Sequence, residues 1–356
     1  MRLRAGDWVE VRSKQEILRS LDKQGSLDGL PFMPQMFEYC GKRFRVFKRA
    51  HKTCDTVNPV AGRRIDSAVH LELRCNGKAY GGCQAACLIF WKEAWLKTIE
   101  KKTNMVQFSQ ANATVDQVGC SEDDVWQATS VRNPQRDDEI KYTCQATQLP
   151  YFTAPLAWWN LRQYVEDYVS GNVTLKRIVC GFVYRSYYEL FAKRGNKVGR
   201  PARWLYDRFQ ALVGGAPFPL RRGSIPTGQP TPAVNLNLQP GELVRVKSYE
   251  EILATLDGLK NRGMYFDAEL VPYCGRVYRV RARVTNFINE KTGKMSTMKT
   301  PAVILEGVYC QSRYSDCRMF CPRSIYSWWR EIWLERVSEN AVVDSQKNIR
   351  EAIQEV

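Results

Sequence analysis

The chain repeats itself, and no other feature of its sequence constrains the fold as strongly. Gly6-Asp-Trp-Val-Glu-Val-Arg-Ser-Lys-Gln-Glu-Ile-Leu returns as Gly241-Glu-Leu-Val-Arg-Val-Lys-Ser-Tyr-Glu-Glu-Ile-Leu. Leu21-Asp returns as Leu256-Asp, and Tyr39-Cys-Gly-Lys-Arg-Phe-Arg-Val as Tyr273-Cys-Gly-Arg-Val-Tyr-Arg-Val. Val69-His-Leu-Glu with Cys75 matches Val303-Ile-Leu-Glu with Cys310; Cys83 and Cys87 match Cys317 and Cys321. Trp91-Lys-Glu-Ala-Trp-Leu then matches Trp329-Arg-Glu-Ile-Trp-Leu. Six blocks in one order, offset by about 235 residues, describe one module used twice.

Each block carries local structure. Asp7 to Val11 alternates apolar and polar residues with period 2, the signature of a strand. Ser13 with Glu16, and Ser248 with Glu251, are capping boxes that start a short helix: the hydroxyl caps backbone amides and the carboxylate reaches back. A second strand is expected after Tyr-Cys-Gly. On it Phe44 and Val46, or Tyr278 and Val280, share one face, while Arg43, Arg45 and Arg49, or Arg279, Arg281 and Arg283, share the other. The two Trp of each last block are four residues apart, which on a helix places them on one face, so a closing helix is expected.

The expected fold is α+β: two small β-barrel-like (SH3-like) modules, each followed by a helix and each carrying a cysteine metal site. Residues 1–103 form the first module and 241–338 the second. Residues 104–213 are mixed and aromatic-rich, with helices over Tyr164 to Tyr168 and Arg203 to Leu212 and a strand over Lys176 to Tyr184. Residues 214–240 hold four Gly and six Pro and read as a linker. Residues 339–356 read as an amphipathic helix, with Val342, Ile349 and Ile353 on its apolar side.

The cysteines bear on chemistry. The amino-terminal segment lacks the apolar stretch of a secretory signal, and no run of about 18 apolar residues could span a membrane. The reading is a cytoplasmic protein, whose 12 cysteines are better suited to metal ligation or burial than to disulfides. Four positions are shared by both copies: Cys40, Cys75, Cys83 and Cys87, matching Cys274, Cys310, Cys317 and Cys321. Four thiolates suit tetrahedral zinc, and an iron–sulfur cluster is the alternative. Cys83 and Cys87, at i and i+4, would present both sulfurs to one side at a helix start, where the dipole favours thiolate. Cys54 has no counterpart and is an alternative ligand or a free thiol. The competing reading is buried apolar thiols, since cysteine is among the most buried residue types. His70 aligns with Ile304, which suits an inward-facing strand position better than a ligand. Glu72 and Glu306 are shared by both copies and suit partners of basic residues better than general bases.

The net charge of +16 favours anionic partners: nucleic acid, an acidic membrane surface or a polyanionic glycan. Residues 41–52 interleave Lys and Arg with Phe44 and Phe47, as nucleic-acid surfaces do, although a solvated strand face reads the same way. Arg43, Arg45, Arg49, Arg279, Arg281 and Arg283 are the candidate anion-binding residues. A second basic run, Lys193 to Arg203, precedes an aromatic helix and reads as a basic loop entering it.

Phosphate-loop, nucleophile-elbow and His-Glu-x2-His signatures are absent, which argues against those enzyme classes. The blocks Leu30-Pro-Phe-Met-Pro, Tyr39 to Val46 and Gly81-Gly-Cys-Gln-Ala-Ala-Cys resemble those of a family of bacterial proteins with no assigned activity. The resemblance covers residues 6–100 and Tyr142-Thr-Cys-Gln-Ala-Thr, and implies no reaction. The leading expectation is a metal-stabilised, non-catalytic module binding an anionic polymer, DNA or RNA first. The alternative is a metal-dependent enzyme or redox accessory protein of a bacterial biosynthetic pathway.

Overall fold

A computed structural model describes residues 2–58, 62–99, 119–133, 136–192, 199–212, 215–315 and 317–337. The amphipathic pattern at the carboxyl end and residues 193–198 of the basic run lie outside these. The chain forms two compact units. One comprises Met1–Cys180, Asn286–Ser296 and Asp316–Ser324; the other comprises Gly181–Thr285, Thr297–Ser315 and Ile325–Val356. Neither unit is simply one repeat. Two short segments of the second copy are built into the first unit.

Both units contain the same three-strand ladder. In the first, Trp8–Val11 lies between Leu96–Thr98 and Arg43–Arg45, with Val9 opposite Phe44 and Val11 opposite Leu96. In the second, Leu243–Val246 pairs with Val277–Ile288 and Leu334–Arg336, with Val244 opposite Tyr278 and Val246 opposite Leu334. The register is identical residue for residue. Period-2 alternation fixes its parity: a one-residue slip would turn Val9 and Val11 to solvent, and both are fully buried, as are Val244 and Val246. The capping boxes form as expected and start helices Lys14–Ser20 and Tyr249–Leu253.

The two cores also match ring for ring. Phe32 stands edge-on to Trp95 at 5.1 Å, and Phe266 to Trp333 at 5.2 Å. Tyr39 meets Trp91 at 6.1 Å, and Tyr273 meets Trp329 at 6.5 Å. Each second Trp donates its indole N–H to a hydroxyl at the end of the capped helix: Trp95 to Ser20 at 3.2 Å, Trp333 to Thr255 at 3.0 Å. All four indoles are fully buried, and removing one such ring costs about 3–5 kcal/mol.

Several expectations are corrected. Among the described residues the sheets do not close into a barrel: around the first ladder, the Lys48–Arg49/Ala68–His70/Trp91–Lys92 sheet and the Lys52–Cys54/Gly62–Arg64/Ala154–Leu156 sheet remain separate, whereas the second ladder continues through Met295–Tyr309 and Tyr326–Trp329 as one five-stranded sheet. The Trp blocks are not helices. Trp91 and Trp329 sit on strands, a single 3-10 turn follows, and Trp95 and Trp333 end it. A strand followed by one tight turn returns residue i+4 to the same side, so spacing alone could not separate it from a helix. Residues 176–184 belong to a helix, Leu175–Tyr187, rather than a strand; a short apolar run lacks the length information that tells the two apart. The expected helices appear at Arg162–Val169 and Gly199–Leu212.

Residues 215–240 contain no helix or strand, as their Gly and Pro demand. They are nonetheless pinned. Phe218 and Leu238 are buried, and the Leu236, Asn237 and Leu238 amides donate to the Glu331 carboxylate at 2.6–3.2 Å.

Candidate functional site

Four thiols of the first unit line one cavity of about 30 Å³, room for a single water or ion. Cys75, Cys83, Cys87 and Cys144 line it together with Met33, Tyr80, Phe90, Ile288 and Arg323. The loop that delivers three of the thiols is closed on itself. The Cys75 amide donates to the Cys87 carbonyl at 2.8 Å, and the Cys83 amide to the Tyr80 carbonyl at 3.1 Å. Gly77 makes this possible. Its φ is +71°, and a Cβ there would stand 2.0 Å from the Cys83 carbonyl oxygen, so no other residue fits without moving the loop.

Cys144 arrives from a different segment and is held by its neighbours. Its amide donates to Thr147 Oγ1 at 3.0 Å. Gln145, fully buried, accepts from the Phe90 amide at 2.8 Å and donates to the Phe90 and Pro31 carbonyls, both at 3.0 Å. That one amide side chain ties the Cys144 segment to the strand end beyond Cys87.

Two donors are aimed at the sulfurs. Gln35 Nε2 donates to Cys75 Sγ at 3.3 Å, and the Ile288 amide donates to Cys83 Sγ at 3.4 Å. Such N–H···S bonds favour thiolate over thiol and are common around thiolate ligands. Burial acts the other way. It pushes Cys75 up to about 12, raises Cys87 well above the usual thiol value and raises Cys144; neighbouring thiols add to the rise of Cys75, and Glu290 to that of Cys87 and Cys144. Raised in this way, these three sulfurs hold their protons at neutral pH unless a metal ion displaces them.

A buried cation stands beside the thiols. Arg323 is 2 % exposed and donates to Glu290 at 2.9 Å. Burial opposes its charge, but Glu290 and the thiols Cys54, Cys87 and Cys321 hold its pKa above the ordinary arginine value. Next to it, the Cys54 amide donates to Cys321 Sγ at 3.1 Å. The hydrogen bond to Cys321 and then burial raise the Cys54 thiol well above its usual value. Further in, Lys52 Nζ donates to Asp167 at 2.6 Å, to the Met319 carbonyl at 2.8 Å and to Gln163 at 3.3 Å, while His51 Nε2 lies 3.2 Å from Asp167. Burial lowers the Lys52 pKa, with Asp167 opposing the fall.

The expected cysteine sets are redrawn. Cys75, Cys83 and Cys87 come together, but Cys40 is not among the cavity's lining residues, and Cys144 is. Cys83 and Cys87 lie on irregular chain rather than at a helix start, so no helix dipole acts on them. In the second set, Cys274 and Cys310 belong to the second unit, whereas Cys317 and Cys321 belong to the first. Burial pushes Cys274 up to about 12, and Cys310 Sγ is 3.5 Å from Ser312 Oγ. Cys54 partners Cys321 rather than joining the cavity. No disulfide forms, and among the described residues no group of three or more His, Cys, Asp or Glu side chains is arranged as a metal cage. A sequence signal for Cys144 existed: Cys83-Gln-Ala recurs as Cys144-Gln-Ala.

His70 is fully buried on its strand, with Nδ1 2.8 Å from the Ile89 carbonyl, and burial lowers it to about 3, so it is neutral. Glu72 and Glu306 do not enter the cavity lining either.

The arginines divide. Arg43 and Arg45 are exposed, Arg43 facing Glu10 at 3.1 Å and Arg45 donating to the Gly6 carbonyl at 3.2 Å. Arg49 is not on that face. It is 5 % exposed and donates to Glu93 at 2.5 Å, Glu166 at 3.1 Å and the Leu3 carbonyl at 3.0 Å. In the second unit Arg279 and Arg281 are exposed, Arg281 lying 5.4 Å over the Tyr326 ring, while Arg283 is half-buried against Glu331 at 3.4 Å.

A scan against protein-family models and a search of curated proteins each return no match.

Proposed function

We propose that the protein is a zinc-stabilised, non-catalytic module that binds an anionic polymer, nucleic acid first. The observation that carries the metal half is the meeting of Cys75, Cys83, Cys87 and Cys144, drawn from two distant stretches of chain, on one small cavity. A cysteine sulfur swings on χ1 alone, and the site requires rotamer changes that turn the four sulfurs onto one ion. Four thiolates complete the tetrahedral shell of a structural zinc and leave no position for substrate. The cavity's volume suits one ion better than an iron–sulfur cluster. Arg323 would offset part of the charge of a four-thiolate site.

The polymer half rests on the charge of +16 and on exposed arginines in both units, Arg43 and Arg45 in one, Arg279 and Arg281 in the other. Two related basic modules on one chain can engage one polymer twice, which raises affinity without any new interaction.

The test is metal analysis of protein purified without oxygen, followed by retention of mixed-sequence DNA and RNA at roughly physiological salt. Stoichiometric zinc and salt-sensitive retention are expected. A brown, iron-loaded protein overturns zinc; metal-free protein overturns the metal half. Absence of retention overturns the polymer half and leaves the redox accessory reading in its place.

A further inference from the structure

The helix Gly199–Leu212, in the second unit, is packed with its apolar face outward. Trp204, Leu205, Phe209 and Leu212 are 58 %, 60 %, 59 % and 85 % exposed. Its inner side is the more polar one. Tyr206 stacks on Tyr187 at 4.9 Å with the rings 14° apart and meets Phe218 edge-on at 6.3 Å. Asp207 turns inward and accepts the Phe218 amide at 2.7 Å. An amphipathic helix in water ordinarily buries its apolar stripe. Here four large apolar side chains at i, i+1, i+5 and i+8 form one stripe that the unit leaves uncovered.

The charges on that stripe are of one sign. Arg200 and Arg208 are exposed, and Arg208 lies 5.4 Å over the Trp204 ring. Asp207 is the helix's only acid, and it is on the other side.

We propose that this helix docks the protein on an anionic phospholipid surface, lying in the plane of the interface. Apolar side chains interleaved with arginines and free of acids match a headgroup layer with acyl chains beneath it. The other occupants fit less well. A two-fold copy of the chain would bring together two stripes that carry only arginines, with no acid on either to offset them. A nucleic acid would pair with the arginines and could stack bases on Trp204 and Phe209, but would leave Leu205 and Leu212 in water. At about 1.5 Å per residue the helix is about 21 Å long, too short to span a bilayer but ample to lie on one. No helix among the described residues is long and apolar enough to cross a membrane.

The experiment is co-sedimentation of the full chain with phosphatidylcholine vesicles and with vesicles carrying about 30 % phosphatidylserine. The protein is expected to sediment with the anionic vesicles only, and less at high salt. Arg200→Gln with Arg208→Gln should weaken partitioning about 25-fold, roughly fivefold for each charge near the surface. Leu205→Glu with Phe209→Glu should abolish it. Thermal unfolding should be unchanged in the arginine variant, whose replaced side chains face solvent, so that variant decides the matter even if the glutamate variant misfolds. Equal sedimentation with both vesicle types, none with either, or wild-type partitioning in the arginine variant overturns the proposal. So does a wild-type dimer that Leu205→Glu with Phe209→Glu converts to monomer while vesicles leave the protein in solution.

Discussion

Replacing Cys144 with Ser should do to zinc what replacing Cys40 does not. Cys144 lines the cavity with Cys75, Cys83 and Cys87, whereas Cys40 does not. Structural zinc in small domains is bound with about 10–16 kcal/mol, so an even share for four thiolates is about 3 kcal/mol each. Cys144→Ser should therefore weaken zinc about 150-fold, at 1.4 kcal/mol per decade. Proton release supplies a second readout. Burial raises Cys75, Cys87 and Cys144 above the ordinary thiol value, so at neutral pH each must lose a proton when zinc arrives. Affinity then rises with pH and falls as the thiols are protonated. These three contribute about three decades per pH unit, and Cys144→Ser should reduce that to about two. Competition against a chromophoric chelator over about one pH unit near neutrality measures both quantities. Equal losses in Cys40→Ser and Cys144→Ser, or a pH slope unchanged by Cys144→Ser, would show that the cavity is not the metal site.

Other perturbations separate surface from interior. Arg43→Gln with Arg45→Gln should flatten the plot of log affinity for duplex DNA against log salt by about 1.8, or about 0.9 for each phosphate no longer neutralised, without changing stability; an unchanged slope removes that face from the interface. Arg49→Gln should instead destabilise the first unit by about 3–5 kcal/mol in urea unfolding, because it strips a buried partner from Glu93 and Glu166. Asp167→Asn should cost a similar amount by leaving the Lys52 ammonium uncompensated, and adding Lys52→Met should recover much of it. A loss below about 1 kcal/mol for Asp167→Asn would mean that the pair is hydrated in solution.

Local pattern carried much of the fold. The duplication was legible from matching blocks, and the strand at Trp8–Val11 and the capping boxes were legible because each depends on a period or spacing within a few residues. The ladder register was not legible: alternation fixes which face Val9, Val11, Val244 and Val246 take, but a two-residue slip would bury the same side chains, so only the tertiary pairing sets it. The arginine stripe failed for a definite reason. Arg43, Arg45 and Arg49 share strand parity, yet Arg43–Arg45 pairs with Trp8–Glu10 and Lys48–Arg49 pairs with Val69–His70. The chain changes sheets between them, so parity no longer reports the face.

The cysteine site shows the same division. Cys75, Cys83 and Cys87 were legible as a group because one loop holds them. Their fourth companion depends on where a distant segment packs: Gln145 clamps the Cys144 segment to Phe90 and Pro31, and repeat alignment pointed to Cys40 instead. The helix Gly199–Leu212 was readable as a helix, but its outward apolar face was not. Amphipathicity shows that a helix has two faces, and here the packing of Tyr206 and Asp207 chooses which one the unit covers. Backbone hydrogen bonds and side-chain alternation act over a few residues and are written locally. Which segments meet across the core is fixed by burial summed over the whole unit, and no window of the sequence contains it.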